Sequence, residues 1–430
     1  MLRKIKKLIF HPYWYFFDYS RKKLGFKKYF VTDVIKPYRE MEDRTWYKLL
    51  ISYPYQYLYD FTRIKLNKAA YPILVDYRIE TLSENHLGGG RNVVLAIELE
   101  EQNTIYFADA EIVLKVLSHK EPYIARAFLK FKFEGRGNKV FIGANTNIAP
   151  GVMIKFIGSY NSLVIGKNTI IGENTKIKFN GANNAFYIGI GCTLNPNTKI
   201  NFTKNCNCIY LGDNSKISQV ASFQFNGNNA LIYFAGRSPV TACIQIWSNS
   251  IFFTGFGSSF GGDGRNVTTI RLQEQKNIII GSSTMVTRGC YIRNSDGHIL
   301  YDAKTQKRIN PSKSIIIGDK VWIGQFSLIS KGSRIETGAM VGANSVVSNK
   351  TIPAQCIAVG SPARVIKQDI IIDGRGTGNF LDGDTARYET YHPPQNIPKW
   401  DFGKLIKIDS IDHNISSKMK IQLIKNILLD

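Results

Sequence analysis

One histidine stands alone in the long repetitive part of this 430-residue chain. His298 is the only histidine within residues 120–391, and it falls in an irregular stretch, 293–313, that interrupts two regular patterns. An imidazole titrates near pH 6.5, so a positioned histidine can exchange a proton with a reacting group at neutral pH. We therefore expect chemistry at this excursion loop, residues 293–313.

The residues before the loop repeat every 23 positions from Asn138 onward. A period of 20–50 residues indicates a solenoid, in which each unit buries its apolar edge against its neighbours. Phenylalanines that recur in register predict a ladder inside one wall: Phe156, Phe179, Phe202 and Phe225. Asparagines in register predict an amide ladder at one corner: Asn138, Asn161, Asn184 and Asn207.

A shorter pattern runs inside each unit. Segments such as IGKNTI place an aliphatic residue, a glycine and a small residue at fixed positions about every six residues. From Ile317 to Ile352 the pattern becomes pure hexads, which gives coils of 18 residues. Short β-branched strands with small residues at the bends predict a mainly β fold, a parallel β-helix of triangular section. The five extra residues of the longer coils predict a bulging turn near the segments GSY, GAN and GNN.

These patterns divide the chain into four regions. We predict a basic aromatic N-terminal segment over 1–30 and a small mixed α/β domain over 31–137. The solenoid is predicted over 138–368, and a C-terminal extension follows over 369–430. A short helix is expected in that extension near Ser417–Leu429.

Charge and cysteine content bound the class of protein. The formal net charge is +23, and residues 1–30 carry nine Lys or Arg against Asp18, which favours contact with polyanions. Contact of this segment with an anionic membrane surface and packing of its aromatic residues onto the rest of the protein fit the sequence equally. Six cysteines without metal or disulfide spacing fit a reducing cytoplasm, and we expect no metal site. No apolar run is long enough for a transmembrane helix, and a cleaved secretion signal is not expected.

The motifs over Ile280–Lys367 resemble the hexapeptide-repeat acyltransferases. SDGH is followed in order by an IN with IIIGDKVWIG, by GSRI with GAMVGANSVV, and by GSPARVIK. This order is similar to that of the O-acetyltransferases of bacterial surface polysaccharides. The resemblance implies a left-handed parallel β-helix, a homotrimer with active sites between adjacent chains, and acetyl-CoA as cosubstrate.

The resemblance also implies roles for the loop residues. His298 matches the family's general base, which takes a proton from the acceptor hydroxyl as its oxygen attacks the thioester of acetyl-CoA. Such a base contributes about 10²–10⁴ in rate. Asp296 or Asp302 could hold the imidazole in one tautomer, although either could cap a turn instead. Arg293 and Asn294 could contact the acceptor or a neighbouring chain.

A second set of residues matches the family's ligand site. Trp322 corresponds to an aromatic residue near the active site, although it could instead pack between subunits. By position on the last coils, further candidates for CoA are Gly324, Ser330, Lys331, Gly342, Ala343, Arg364 and Lys367. The GSPAR segment carries Ser361 and Arg364 where the family has Asn and Lys.

The sequence therefore predicts an acetyl-CoA-dependent O-acetyltransferase for a sugar hydroxyl of a capsular or lipopolysaccharide glycan. A cytoplasmic location follows, at the inner face of the bacterial membrane if residues 1–30 contact lipid; nucleic acid is not an expected partner. An N-acyltransferase acting on an amino sugar and a polyanion-binding solenoid without activity are the alternatives. A metalloenzyme of carbonic anhydrase type would need three histidine ligands, which the solenoid lacks.

Overall fold

The computed structural model describes three short strands ahead of residue 129 and all of residues 129–430 except 144, 150, 379, 394–399 and 430. The described residues all lie in Tyr77–Asp430, the second of two compact units. The predicted N-terminal segment over 1–30 lies outside the described residues.

Three long sheets, named A, B and C, form the walls of a solenoid. Sheet A contains β1 (Ile79–Thr81), β3 (Thr104–Phe107), β5 (Lys139–Ile142), β8 (Ser162–Ile165), β11 (Ala185–Ile188), β14 (Cys208–Leu211), β17 (Leu231–Phe234), β20 (Ile251–Thr254), β23 (Ile278–Ile280), β26 (Ile315–Ile317), β29 (Arg334–Ile335) and β32 (Thr351–Ile352). Sheet B contains β2 (Leu95–Glu98), β4 (Leu129–Phe133), β7 (Met153–Phe156), β10 (Lys176–Phe179), β13 (Lys199–Phe202), β16 (Ser222–Phe225), β19 (Ala242–Ile246), β22 (Thr268–Leu272), β25 (Tyr291–Arg293), β28 (Leu328–Ser330) and β31 (Val346–Val347). Sheet C contains β6 (Asn147–Ile148), β9 (Ile170–Ile171), β12 (Thr193–Leu194), β15 (Lys216–Ile217), β18 (Pro239–Val240), β21 (Ser259–Phe260), β24 (Met285–Val286), β27 (Trp322–Ile323), β30 (Met340–Val341), β33 (Ile357–Gly360) and β34 (Ala363–Lys367).

The chain visits the sheets in the order A, C, B, and neighbouring coils pair in parallel. The last pair, β33 with β34, is antiparallel. The predicted parallel β-solenoid of mainly β structure is therefore confirmed. Its left-handedness stays a prediction from the resemblance.

The predicted ladders are present. The rings of Phe156 and Phe179 stack with centroids 4.6 Å apart, and those of Phe202 and Phe225 at 5.0 Å. Each asparagine of the corner ladder accepts from the backbone of the next coil, as in the 2.9 Å bond from Asn184 N to the oxygen of Asn161. The side-chain amides of the same pair are joined at 3.1 Å. The interior is thus filled by the residues that recur in register.

The predicted bulging turns lie at the corner between sheets B and A. For example, five residues, 157–161, separate the end of β7 from the start of β8. The excursion loop occupies the same corner, between β25 and β26. Coils beyond the loop are shorter, as predicted: Trp322 pairs with Met340, 18 residues on.

The sheets begin earlier than the repeat suggested. Strands β1 to β4, which precede Asn138, already pair into sheets A and B. Ile79 pairs with Ile105 and Thr104 pairs with Lys139, so the spacings are 26 and 35 residues. Uneven spacing hides these coils from a search for a 23-residue period. The division of the chain at residue 138 remains a sequence-based expectation.

The described part of the C-terminal extension carries three helices and packs onto sheet A. They are α1 (Asp382–Arg387), α2 (Phe402–Asp409) and α3 (Ser417–Leu429), and the last matches the predicted helix. Apolar residues of α2 and α3 cover the outer face of sheet A and form one buried cluster with it: Tyr233, Phe253, Ile279, Leu405, Ile408 and Ile424. None of the described helices is long and apolar enough to cross a bilayer.

A buried lysine fixes α3 to the solenoid. Lys420 is fully buried and donates to the carbonyls of Asn229, at 2.9 Å, and Asn249, at 3.2 Å. Burial lowers the pKa of Lys420 to about 8, and nearby Asp412 opposes this shift. The ammonium is therefore held away from water, which destabilises its charged form even though two carbonyls accept from it.

We expect the stability of the packed extension to rise with pH because of Lys420. The unfolded residue has a pKa of about 10.4, so between about pH 8 and 10 the unfolded chain binds more protons at this site than the folded chain. The free energy of unfolding of the wild type, relative to that of Lys420→Met, should rise by roughly 1–2 kcal/mol from pH 7.5 to 9.5. Melting temperatures of the wild type, Lys420→Met and the exposed control Lys418→Met test this. A pH-independent difference between wild type and Lys420→Met would contradict it.

Candidate active site

The excursion loop is a small hairpin that projects from the corner between sheets B and A. A bridge between Tyr301 and Arg308 closes its tip, and the Ile309 amide donates to the Leu300 carbonyl at 3.0 Å. His298 is exposed near the base of this hairpin. Within the described residues, no protein group forms a hydrogen bond with the imidazole. The ring is thus open to a substrate while its backbone is part of an ordered hairpin.

Asn310 holds the base of the hairpin together. Its side chain is 6% exposed, and its oxygen accepts from the Leu300 amide at 2.8 Å. Its Nδ2 donates to the His298 carbonyl at 2.8 Å and to the Asp296 carboxylate at 3.0 Å. One buried amide therefore fixes the backbone at His298 and Leu300 and also holds the Asp296 side chain. Asn310 follows Ile309 in the IN motif of the sequence, and nothing in its spacing indicates this role.

Asp296 ties the loop to the following coil. Its carboxylate pairs with the Lys331 ammonium at 2.5 Å. Partial burial on its own would raise the pKa of Asp296, but the Lys331 and Asn310 contacts outweigh it and lower the pKa. Asp296 is thus held as a carboxylate at neutral pH. It does not form a hydrogen bond with the His298 ring, so its orienting role remains a prediction.

Asp302 caps its own turn. Its Oδ1 accepts from the Lys304 amide at 3.0 Å, the Thr305 amide at 2.7 Å and the Thr305 hydroxyl at 2.9 Å. These bonds lower the pKa of Asp302, and the bond from the Thr305 amide has the largest effect. The structure therefore favours the turn-capping alternative for Asp302.

Arg293 and Asn294 have different surroundings. The Arg293 guanidinium donates to the Ser295 carbonyl and lies over the Tyr291 ring at 5.7 Å. A Cβ placed on Gly297 would lie 3.3 Å from the Arg293 Nη2, so the guanidinium of Arg293 reaches the residue next to His298. The expectation that Asn294 contacts an acceptor is corrected. Asn294 is fully buried, and its amide bonds the Lys276 carbonyl and the Gln273 amide, both at 2.8 Å.

Trp322 lies on another side of the solenoid. It is 38% exposed on the outer face of sheet C, between Met285 and Met340 of the adjoining strands. Sheet C is opposite the corner that carries His298, because each coil runs A, C, B and the loop joins B to A. A single chain therefore does not bring Trp322 and His298 together.

The CoA candidates fall into two groups. Gly324 and Gly342 are buried where sheet C turns toward sheet B, and Ala343 is exposed beside them. A Cβ on Gly324 would lie 2.5 Å from the Ala343 nitrogen, so this glycine is required by the stacking of coils. Arg364 and Lys367 are exposed on β34 at the end of sheet C.

Ser330 and Lys331 form the other group, at the His298 corner. Ser330 pairs with Arg293 in sheet B. Because Lys331 is paired with Asp296, it acts here as a tie for the loop, which differs from the free phosphate-binding cation that the sequence suggested. Within the described residues, no group of three metal-ligating side chains occurs.

The described residues form a three-sided parallel β-solenoid with His298 on a corner loop. Part of the sequence is similar to that of two O-acetyltransferases. The polysialic acid O-acetyltransferase of Escherichia coli O1:K1 / APEC is 36% identical over 131 residues, 30% of this chain and 41% of that protein. The polysialic acid O-acetyltransferase of Neisseria meningitidis is 29% identical over 102 residues, 24% of this chain and 47% of that protein. The chain thus spans less than half the length of these two relatives.

Two further comparisons complete the picture. The crystal structure of the polySia-specific acetyltransferase NeuO matches at 24% identity with a TM-score of 0.38, covering 60% of this chain and 97% of that one. No protein-family model matches the chain. These similarities support the resemblance that the motifs predicted: about a third of the chain is similar in sequence to polysialic acid O-acetyltransferases.

The role of Asn310 in holding the hairpin can be tested without knowing the reaction. Asn310→Ala removes the partner of Leu300, His298 and Asp296 at once. Net hydrogen bonds of about 1 kcal/mol each predict that trypsin cleaves the loop, at Lys304, Lys307 or Arg308, about tenfold faster or more. Mass spectrometry of timed digests measures this.

The matched control is Asn349→Ala, which removes one exposed bond from Lys313 at 2.9 Å. It should leave the cleavage rate near that of the wild type. Equal cleavage of Asn310→Ala and wild type would show that Asn310 does not hold the loop.

Proposed function

We propose that the chain is an acetyl-CoA-dependent O-acetyltransferase that modifies a sugar hydroxyl of a bacterial capsular or lipopolysaccharide glycan. The observation that carries this proposal is an exposed imidazole, without a protein partner in the described part, on a hairpin fixed by a buried amide. A free ring on a fixed backbone is what a general base requires. The names of the related proteins, which act on polysialic acid, support the acceptor class.

The reaction follows from the imidazole. His298 takes the proton of the acceptor hydroxyl while the oxygen forms a bond to the thioester carbon. The tetrahedral intermediate then collapses, the carbon–sulfur bond breaks, and the imidazolium returns the proton to the departing thiolate. An acetyl ester and free CoA are the products. Exposed Arg364 and Lys367 at the end of sheet C are available for the CoA phosphates.

We propose further that the working unit is a homotrimer. The middle of sheet A, from β11 to β26, is covered by the chain's own helices, and Trp322 lies on the side opposite His298. A site that uses both residues would need His298 of one chain and Trp322 of a neighbour.

The general-base role is tested with purified protein, acetyl-CoA and polysialic acid. Loss of the base in His298→Ala should lower the transfer rate by about 10²–10⁴. Thiol release and mass increase of the glycan measure transfer, and hydroxylamine should remove the acetyl group, since esters are cleaved and amides persist. A hydroxylamine-resistant product would instead support the N-acyltransferase alternative. If His298→Ala transfers as fast as wild type, the mechanism is wrong.

The shared site is tested by mixing inactive chains. His298→Ala and Trp322→Ala are each expected to be impaired, and co-expression should restore part of the activity. In a mixed trimer, some interfaces combine an intact His298 with an intact Trp322. Co-expressed chains no more active than either variant alone would place both residues in a site within one chain or remove Trp322 from the site.

A further inference from the structure

The outer face of sheet B carries a continuous column of polar side chains. Alternate residues of each strand point outward, and parallel register stacks them from coil to coil. We call the following residues, each paired with the next across neighbouring strands, the polar column: Lys178, Asn201, Gln224, Gln245, Arg271 and Arg293. The column therefore offers one amide or cation per coil.

The column leads to the candidate active site. Neighbouring strands are about 4.8 Å apart, so the five steps from Lys178 to Arg293 span roughly 24 Å. Arg293 is the last residue of β25 and the first of the excursion loop, and its guanidinium lies beside Gly297. A polymer lying along the column would reach His298 at its end.

The face is cationic, and no carboxylate in the described part of the chain pairs with the lysines at its centre. Lys176 and Lys199 are exposed next to the column, in register with each other. Outward positions of sheet B from β7 to β28 carry neither Asp nor Glu. No ion pair joins Lys176, Lys178 or Lys199 to a carboxylate within the described residues. By contrast, Lys155 near the start of the face pairs with Glu134 at 2.8 Å.

A groove lies beside these lysines. It has a volume of about 800 Å³ and is lined by polar, cationic and small apolar residues: Asn174, Lys176, Asn197, Lys199, Gln219, Val220, Ala221 and Ser222. Its size is in the range of ligand sites, and its lining combines cations with amides that can bond hydroxyl groups. The two lysines and three amides can therefore bond the carboxylate and hydroxyl groups of an acidic sugar.

Near the end of the column, the Arg271 side chain is held in place by two aromatic residues. The Arg271 guanidinium lies over the Trp247 ring at 5.5 Å, and its Nη1 donates to the Tyr291 hydroxyl at 3.4 Å. A cation fixed in this way loses little conformational entropy when it pairs with an anion.

We propose that the outer face of sheet B, from β10 to β25, binds an acidic glycan chain along the solenoid axis and delivers it to the His298 loop. This inference rests on the proposed function for the identity of the ligand. Single-stranded nucleic acid fits less well, because it is bound by successive aromatic platforms. Here amides occupy the middle of the column, and aromatic residues lie only at its end, beside Arg271 and Arg293.

The test uses binding, so that it does not depend on turnover. End-labelled polysialic acid, long or trimeric, is titrated by fluorescence anisotropy into chains that all carry His298→Ala. Adding Lys176→Gln, Lys178→Gln and Lys199→Gln should weaken binding of the long polymer about tenfold, with a shallower salt dependence. Binding of trimeric polysialic acid should be weakened much less.

The matched control changes three exposed lysines away from sheet B: Lys139→Gln, Lys167→Gln and Lys216→Gln. It makes the same change of net charge and should bind the long polymer within about twofold of the parent chain, because screening confines the effect of distant charges. Equal loss in both variants, or loss in neither, would overturn the proposal. So would tighter binding of single-stranded DNA than of polysialic acid. A change of oligomeric state in the sheet B variant would assign the face to contacts between chains.

Failure of the two proposals can be told apart. If wild-type protein acetylates no glycan but binds the long polymer through sheet B, the proposed reaction fails alone. If the sheet B variant with intact His298 acetylates long and trimeric polysialic acid as well as wild type does, the glycan track fails and the reaction stands.

Discussion

Every coil of this solenoid must keep three strands in register with the coils on both sides. The backbone bonds run between coils, so a residue inserted within a strand would break pairing in a whole sheet. Insertions are therefore confined to corners, where five-residue turns such as 157–161 and the much longer loop at 294–314 are found. A large loop at a corner leaves the core intact, but it must be fixed by side chains of its own. Asn310 and the Asp296–Lys331 pair meet this need.

The same constraint decides what the sequence could predict. Similar residues recur at interior positions of successive coils, so residues such as Phe179 and Asn161 predicted the fold and its ladders. Coils with uneven spacing, such as those before Asn138, carry no such signal, because the period is lost even though the strands still pair. The helix at Ser417–Leu429 was predicted, while α2 was not.

The candidate site was predictable only in part. The position of His298 at the break of the repeat was visible from the sequence. The burial of Asn294 and the pairing of Lys331 were not, since both depend on which residue of the next coil lies above them. Asn310 bonds a residue 14 positions away and a carbonyl 12 positions away. Those distances along the chain have no periodic signature.

The three walls of the solenoid have separate surroundings. Sheet A is covered by α2 and α3, sheet B presents cations and amides, and sheet C carries Trp322 and the exposed end strand β34. Because these walls meet at corners, one coil can carry features suited to different ligands without their competing for space. The position of the loop at the B–A corner places it at the edge of the cationic wall.

The cover over sheet A has a consequence during synthesis. The aromatic strip that includes Tyr233 and Phe253 is made long before Leu405 and Ile424, the residues that bury it. At about 5–20 residues per second, the roughly 150 residues between Phe253 and Leu405 take about 8–30 s to translate. For that time the nascent solenoid has a bare apolar wall, which is a target for chaperones and a hazard for aggregation. Helices α2 and α3 thus cover an apolar wall that is synthesised well before them.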